Sequence, residues 1–146
     1  MTRAGREPAE DVIRRITAAC EAAGLVVGGR YSRIIRQSKL RLVHVWAARK
    51  DWPHSPPMLG LRSCVGLDGS IGPIQILCAA TDGDPLEQIW VAPTVRDAEI
   101  PLDALPHAIR MILRERDAIV QMMAEGKQPP FAGLHWTWQI VEPPGL

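Results

Sequence analysis

The chain has 146 residues and a formal net charge of +1; 47% of its residues are hydrophobic and 23% are charged. This length and composition predict one globular domain over residues 1–146 and exclude collagen, long disorder and a disulfide-stapled miniprotein. No apolar run approaches the roughly 18 residues of a membrane span, and the N-terminal residues lack the apolar core of a signal peptide, so we expect a cytoplasmic protein with no membrane partner.

The first predicted element is a helix over residues 8–23. Pro8 suits a first helical turn, and apolar residues recur through this range at steps of three and four. Gly24 is expected to end the helix in a left-handed conformation, with Leu25 folding back onto the apolar stripe.

Between residues 25 and 95 the pattern changes to short β-rich runs separated by turns. The expected strands are Leu25–Val27 continuing towards Arg36, Leu40–Arg49, Met58–Leu67, Ile74–Ala80 and Leu86–Ala92. Asp68-Gly69 predicts a type I′ hairpin turn. Because the links are too short for crossover helices, neighbouring strands are expected to be antiparallel.

A second, longer helix is predicted over residues 103–125. Asp103 is the expected N-cap, and Gly126 follows the last turn. The apolar residues of this range form the expected buried face, while charged residues such as Glu115 and Asp117 are expected to point outwards.

The last predicted strand is Leu134–Val141. Trp136 and Trp138 share one face of this strand with Leu134 and Ile140, and this face is expected to pack in the core. The element order α-β-β-β-β-β-α-β predicts an α+β fold. A single antiparallel sheet of about five to six strands would be flanked by the N-terminal helix and the long helix of the C-terminal half.

The cysteines and the residue usage indicate a compartment and a source. Cys20, Cys64 and Cys78 show no metal-binding or redox spacing, so we expect three reduced and mostly buried thiols. The chain has no asparagine, and fourteen arginines stand against three lysines. This bias predicts a GC-rich bacterial or phage genome.

The charges are distributed unevenly. Residues 1–50 contain eleven basic and four acidic residues, a net charge of +7, whereas residues 51–146 contain six basic and twelve acidic residues, a net charge of −6. Seven basic residues and no acidic ones lie between Arg30 and Lys50. Such an asymmetry is typical of a protein with a polyanionic partner.

No catalytic or metal-binding motif stands out. The four histidines are not at ligand spacing with one another or with a cysteine, so we expect no metal and no cofactor. A cysteine nucleophile, Cys64 or Cys78, with His44 or His135 as its base would require the fold to bring the two residues together. We therefore name no catalytic residue.

These features favour a non-catalytic binding protein whose basic face, residues 30–50, takes a polyanionic ligand, with nucleic acid as the first candidate. The ligand-binding candidates are Arg30, Arg33, Arg36, Lys39, Arg41, Arg49 and Lys50. On strands, Arg33, Arg41 and Arg49 can point outwards together. Trp52, in a proline-rich loop, and Tyr31 are candidates for stacking on bases.

Two alternatives stay open. One is a protein-binding module of the immunity, inhibitor or secretion-chaperone type that acts on an acidic protein partner. In that case the acidic half can also neutralise the basic stretch, within the fold or across a homodimer. The other is a small enzyme whose site is assembled from scattered cysteine, histidine and aspartate residues.

Overall fold

A computed structural model describes residues 8–27, 32–51, 58–80, 89–93, 100 and 102–142. Within these residues the chain forms two α-helices, one short 3-10 helix (Leu102–Ala104) and seven β-strands. The helices are α1 (Pro8–Ala22) and α2 (Leu105–Ala124). The strands are β1 (Ser32–Gln37), β2 (Leu40–Ala47), β3 (Leu59–Gly66), β4 (Gln75–Ala79), β5 (Trp90–Pro93), β6 (Phe131–Ala132) and β7 (Thr137–Val141).

The described strands form one antiparallel sheet in the order β1-β2-β3-β4-β5-β7-β6. The α+β class, the antiparallel sheet and both predicted helices are confirmed. The sheet exceeds the expected five to six strands because Phe131–Ala132, which has no strand pattern of its own, pairs with the start of β7. Val26 does not belong to β1, and it forms an isolated bridge with Ala48 instead.

The two faces of the sheet have different neighbours. Helices α1 and α2 share one core with alternate strand residues, and we call this side the helix face. Its buried residues include Val43, Val45, Leu61, Ile76, Val91 and Trp138 from the strands and Ile16, Ile109 and Ile112 from the helices. The intervening strand residues project from the opposite side, which we call the far face. There Trp46, Leu77, Ala79 and Trp90 form a second apolar cluster.

The helix ends agree with the sequence in three of four predicted features. Gly24 has a φ of +85° and Leu25 is buried, as expected of a left-handed helix stop. Gly126, with a φ of +81°, ends α2 in the same way. The prediction of Asp103 as N-cap is wrong. The 3-10 helix precedes α2, and the Asp103 carboxylate binds Arg15 of α1 at 2.8 Å.

The turn between β3 and β4 is not of the predicted type I′. Gly69 has a φ of +90°, but Asp68 keeps a negative φ, and a type I′ turn requires positive φ at both residues. The Gly69 N–H donates to the Gly66 carbonyl, and the Gly66 N–H donates to the Ser70 carbonyl. These bonds define a three-residue loop with a glycine bulge, and the Asp68 carboxylate stabilises it by accepting from the Ser70 N–H.

Three further expectations about burial are wrong. Leu134 is 86% exposed because it lies in the link between β6 and β7, and Ile140 of β7 is 46% exposed, although Trp136 and Trp138 are buried as predicted. Cys64 is exposed because it projects from the far face, opposite Leu42 of β2. Among the described helices, none is both long and apolar enough to cross a membrane.

The different burial of the thiols gives a testable difference in reactivity. Burial raises the pKa of Cys78 and of Cys20 to about 12, so neither forms the reactive thiolate near neutral pH. We expect a thiol reagent to label only Cys64 in the native protein, and the other two only after unfolding. The matched control is Cys64→Ser, which should show no fast labelling. Rapid modification of Cys20 or Cys78 in the folded protein would contradict this assignment.

Candidate functional site

The basic residues of the β1–β2 hairpin do not share one face. Arg33 lies directly opposite His44 and projects from the far face. Arg41 shares the helix-face register of Val43 and lies opposite Arg36. The expectation that Arg33 and Arg41 point outwards together is therefore wrong, because Arg33 shares the face of its partner His44, and His44 and Arg41 are three residues apart on β2 and so project from opposite faces.

The end of the hairpin still carries several cations close together. Arg36 and Arg41 form a cross-strand pair, and Lys39 lies exposed in the turn between the strands. The hairpin thus concentrates basic residues at its tip.

Arg49 has a different role, because it is neutralised inside the fold. Its guanidinium donates two hydrogen bonds to the Asp117 carboxylate of α2, at 3.1 and 2.8 Å. Hydrogen bonding to the Asp117 carboxylate raises the pKa of Arg49 above its ordinary value. Burial acts to raise the pKa of Asp117, but the hydrogen bonds from Arg49 and Arg116 outweigh it and leave that pKa below its ordinary value. For this one arginine, the structure shows the internal neutralisation that the sequence left open.

A basic row that the sequence did not predict crosses the far face. His44 lies between Arg33 of β1 and Arg62 of β3 in the strand register, and the row continues to Gln75 of β4. His44 is only 3% exposed. Burial and the positive charges of Arg62 and Arg33 together lower the pKa of His44 from 6.5 to about 4. We call Arg33, His44 and Arg62 the arginine–histidine row.

The side chains next to this row pack tightly. The rings of His44 and Trp46 lie 4.6 Å apart, and Trp46 meets Trp90 edge to face with ring centres 5.7 Å apart. A Cβ at position 60 would lie 2.8 Å from the Trp46 ring, so glycine at this position allows the indole to lie close against β3. Trp46 thereby limits how far the His44 ring can move.

The remaining candidates fall elsewhere. Lys50 is exposed in a turn after β2. Arg30, Tyr31 and Trp52 lie outside the described residues. The sequence missed Arg62, although a basic residue within an otherwise apolar strand was a visible signal.

A second polar centre lies on the helix side. The Glu115 carboxylate of α2 is 3% exposed and accepts four hydrogen bonds, three from the segment that joins β6 to β7 and one from β7. The donors are the His135 N–H at 2.9 Å, His135 Nδ1 at 2.9 Å, the Trp136 N–H at 3.3 Å and Trp138 Nε1 at 3.0 Å. The expectation that Glu115 points outwards is wrong, because these donors compensate for its burial. A Cβ at Gly133 would collide with Glu115 Oε1.

The cysteine–histidine pairs considered from the sequence are not brought together in the part of the chain that the structure describes. Among the described residues, neither His44 nor His135 hydrogen-bonds a cysteine. The same part of the chain contains no group of three histidine, cysteine, aspartate or glutamate side chains placed to hold a metal ion.

Comparison of the chain with protein-family models, with curated proteins and with solved structures gives no match.

Loss of the Glu115 carboxylate should strongly destabilise the fold. Glu115→Ala leaves the donors of His135, Trp136 and Trp138 without their acceptor, and each buried donor left unsatisfied costs about 1–3 kcal/mol. We expect the free energy of unfolding in urea to fall by about 3–5 kcal/mol. Glu21→Ala, at an exposed glutamate of α1, should change it by less than about 0.5 kcal/mol. Equal effects of the two substitutions would contradict a buried role for Glu115.

The depressed pKa of His44 should make stability depend on pH. Between pH 6.5 and about 4, the unfolded chain binds a proton at His44 and the folded protein does not. The free energy of unfolding therefore falls as pH decreases through this window, by about 2 kcal/mol between roughly pH 7.5 and roughly pH 5.

Urea unfolding of wild type and His44→Gln at both pH values measures this contribution, which only wild type should show. His107→Gln, at an exposed position of α2, should retain the wild-type pH dependence. Identical pH dependence of wild type and His44→Gln would rule out the proton linkage at His44.

Proposed function

We propose that this protein is a non-catalytic, cytoplasmic binding protein for a polyanionic ligand, with nucleic acid as the ligand class. One observation carries the proposal. On the far face, Arg33 and Arg62 flank a buried neutral histidine, and both arginines repel a proton from it. Burial is the largest cause of the lowered pKa of His44, and the positive charges of Arg62 and Arg33 lower it further; a site with such a positive field attracts phosphate groups.

The hairpin tip extends this surface. Arg36, Lys39 and Arg41 lie at the end of the two strands that carry Arg33 and His44. A protein that binds nucleic acid contacts the phosphate backbone with several cations at once. The affinity of such a protein for nucleic acid comes largely from counterion release. Cations on both faces and at the tip of one hairpin suit a ligand that follows a chain of phosphates.

The proposal is tested by the salt dependence of binding. Fluorescence anisotropy of labelled single-stranded and duplex oligonucleotides should give an affinity that falls linearly with salt concentration in a log–log plot. The double variant Arg33→Gln/Arg62→Gln should weaken binding at least about tenfold. Loss of two phosphate contacts should also reduce the slope by about 1.4 for a single strand.

The matched control is Arg114→Gln, which removes one positive charge from an exposed position of α2, on the other side of the sheet. It should leave the slope unchanged. Absence of binding to either oligonucleotide at low salt would refute the proposal. An equal loss of affinity in Arg114→Gln would also refute it, because binding would then depend on net charge alone.

A second candidate function, binding of an acidic protein segment, has one observation in its favour. Among the described residues, β1 is an edge strand, and the exposed apolar side chains of Ile35 and Leu40 lie beside Arg33 and Lys39. An extended acidic segment could pair with such an edge. A second copy of the chain suits this edge less well, because pairing of two β1 strands would bring their arginines together.

A further inference from the structure

Among the described residues, three of the five buried side-chain polar atoms that have no hydrogen-bond partner lie on the far face. These three atoms are His44 Nε2, Trp46 Nε1 and Arg62 Nε. They occupy adjacent positions, since Trp46 follows His44 by two residues on β2 and Arg62 lies opposite His44 on β3. Nearly all buried polar atoms in proteins are hydrogen-bonded, so three such atoms together indicate a site for a polar ligand.

The surrounding charges determine which ligand chemistry fits. The strand register places Arg33 and Arg62 on either side of His44 and an uncharged residue, Gln75, next in the row. Guanidinium groups and indole N–H groups only donate hydrogen bonds. A group that accepts from such donors next to the positive charge of Arg62 is an oxyanion.

We propose that Arg33, His44 and Arg62 form a subsite for a single phosphate-type oxyanion, and that His44 takes up a proton from solvent when the oxyanion binds. The subsite deepens the proposed function, on which its assignment to a phosphate group of nucleic acid rests. The arginines balance the charge of the oxyanion, and the protonated imidazole donates Nε2–H to it. The Trp46 indole supports one side of the imidazole.

Proton uptake follows from a change in the local field. The charged groups that act on His44 are Arg62 and Arg33, and with burial they hold its pKa near 4. An oxyanion between the two arginines opposes their field and favours the imidazolium ion. Linkage relates the two effects. For each unit by which the bound oxyanion raises the pKa of His44, the protein with a protonated His44 binds the oxyanion tenfold more tightly than the protein with a neutral His44.

Binding at this subsite includes a movement of side chains. His44 Nε2 has no solvent contact, so an oxyanion reaches it only when the side chains around it move. Arg33 is exposed and Arg62 is half-buried, and both have long, rotatable side chains. Rotation of their guanidinium groups towards the oxyanion opens the approach to the imidazole.

Sulfate is the probe that isolates this effect, because its charge does not change between about pH 4 and about pH 7, where His44 titrates. The His44 ring should be followed by NMR during pH titrations in sodium sulfate and in sodium chloride of equal ionic strength. We expect sulfate to raise the pKa of His44 by about one unit or more. The sulfate affinity should accordingly increase about tenfold at the lower pH. The ring signals of His107, exposed on α2, should be the same in both salts.

Two variants test the role of the arginines. Arg62→Gln should raise the pKa of His44 in chloride, by removing a repelling charge, and should abolish the additional rise in sulfate. Arg114→Gln should change neither value. An identical His44 titration of the wild-type protein in both salts would overturn the subsite, since the unpartnered Nε2 then reflects a buried water or a purely structural histidine.

The outcomes also separate the subsite from the proposed function. Salt-dependent nucleic-acid binding without any effect of sulfate on His44 overturns the subsite and leaves the proposed function standing. A sulfate effect on His44 without nucleic-acid binding supports the oxyanion subsite and refutes nucleic acid as the ligand.

Discussion

The position of α2 on the sheet depends on three consecutive charged residues. Glu115 binds the segment between β6 and β7, Arg116 donates to the Ala79 carbonyl at the end of β4 at 2.9 Å, and Asp117 binds Arg49 after β2. Burial of a lone charge costs several kcal/mol, so the buried Glu115 and Arg116 side chains are tolerated only where their partners meet them. Rotation of α2 by one residue would remove all of these contacts, and the three residues therefore fix the rotation of the helix as well as its contact with the sheet.

This arrangement divides the basic stretch into two parts with different roles. Arg49 lies just beyond the end of β2 and is neutralised by Asp117 of α2. Arg33 lies on the other face of the sheet, where its charge acts on His44 together with that of Arg62. The negative charge of Asp117 is thus used on the helix side, whereas the positive charges of Arg33 and Arg62 act on His44 on the far face.

The sequence predicted those features that depend on local patterns. The helix ends follow from the spacing of apolar residues and from glycines with positive φ, and the antiparallel order follows from short links. The orientation of individual side chains was harder to predict, since it depends on strand register. A shift of one residue moves a side chain to the other face of the sheet, and for this reason Cys64 and Arg41 were misplaced.

Glu115 shows a different limit. Ile112 and Ile119 are both buried, and positions 115 and 116 lie between them on the same helical stripe. The charge of Glu115 led to the prediction of an exposed position. However, the donors that compensate Glu115 lie twenty or more residues further along the chain, where no local pattern reveals them. A charged residue at a core position of an otherwise regular stripe therefore indicates a buried polar contact with a distant segment.

The arginine–histidine row differs from this contact in one physical respect. The donors around Glu115 compensate its charge, so burial there stabilises a unique packing. The two arginines beside His44 have the same sign as the proton that the imidazole would carry, so the row costs folding free energy below pH 6.5. Such a cost is retained at sites where a ligand relieves it, and relief of repulsion by an anion adds directly to the affinity for that anion. For this reason our proposal places ligand binding at the destabilising cluster on the far face and not at the well-satisfied one on the helix side.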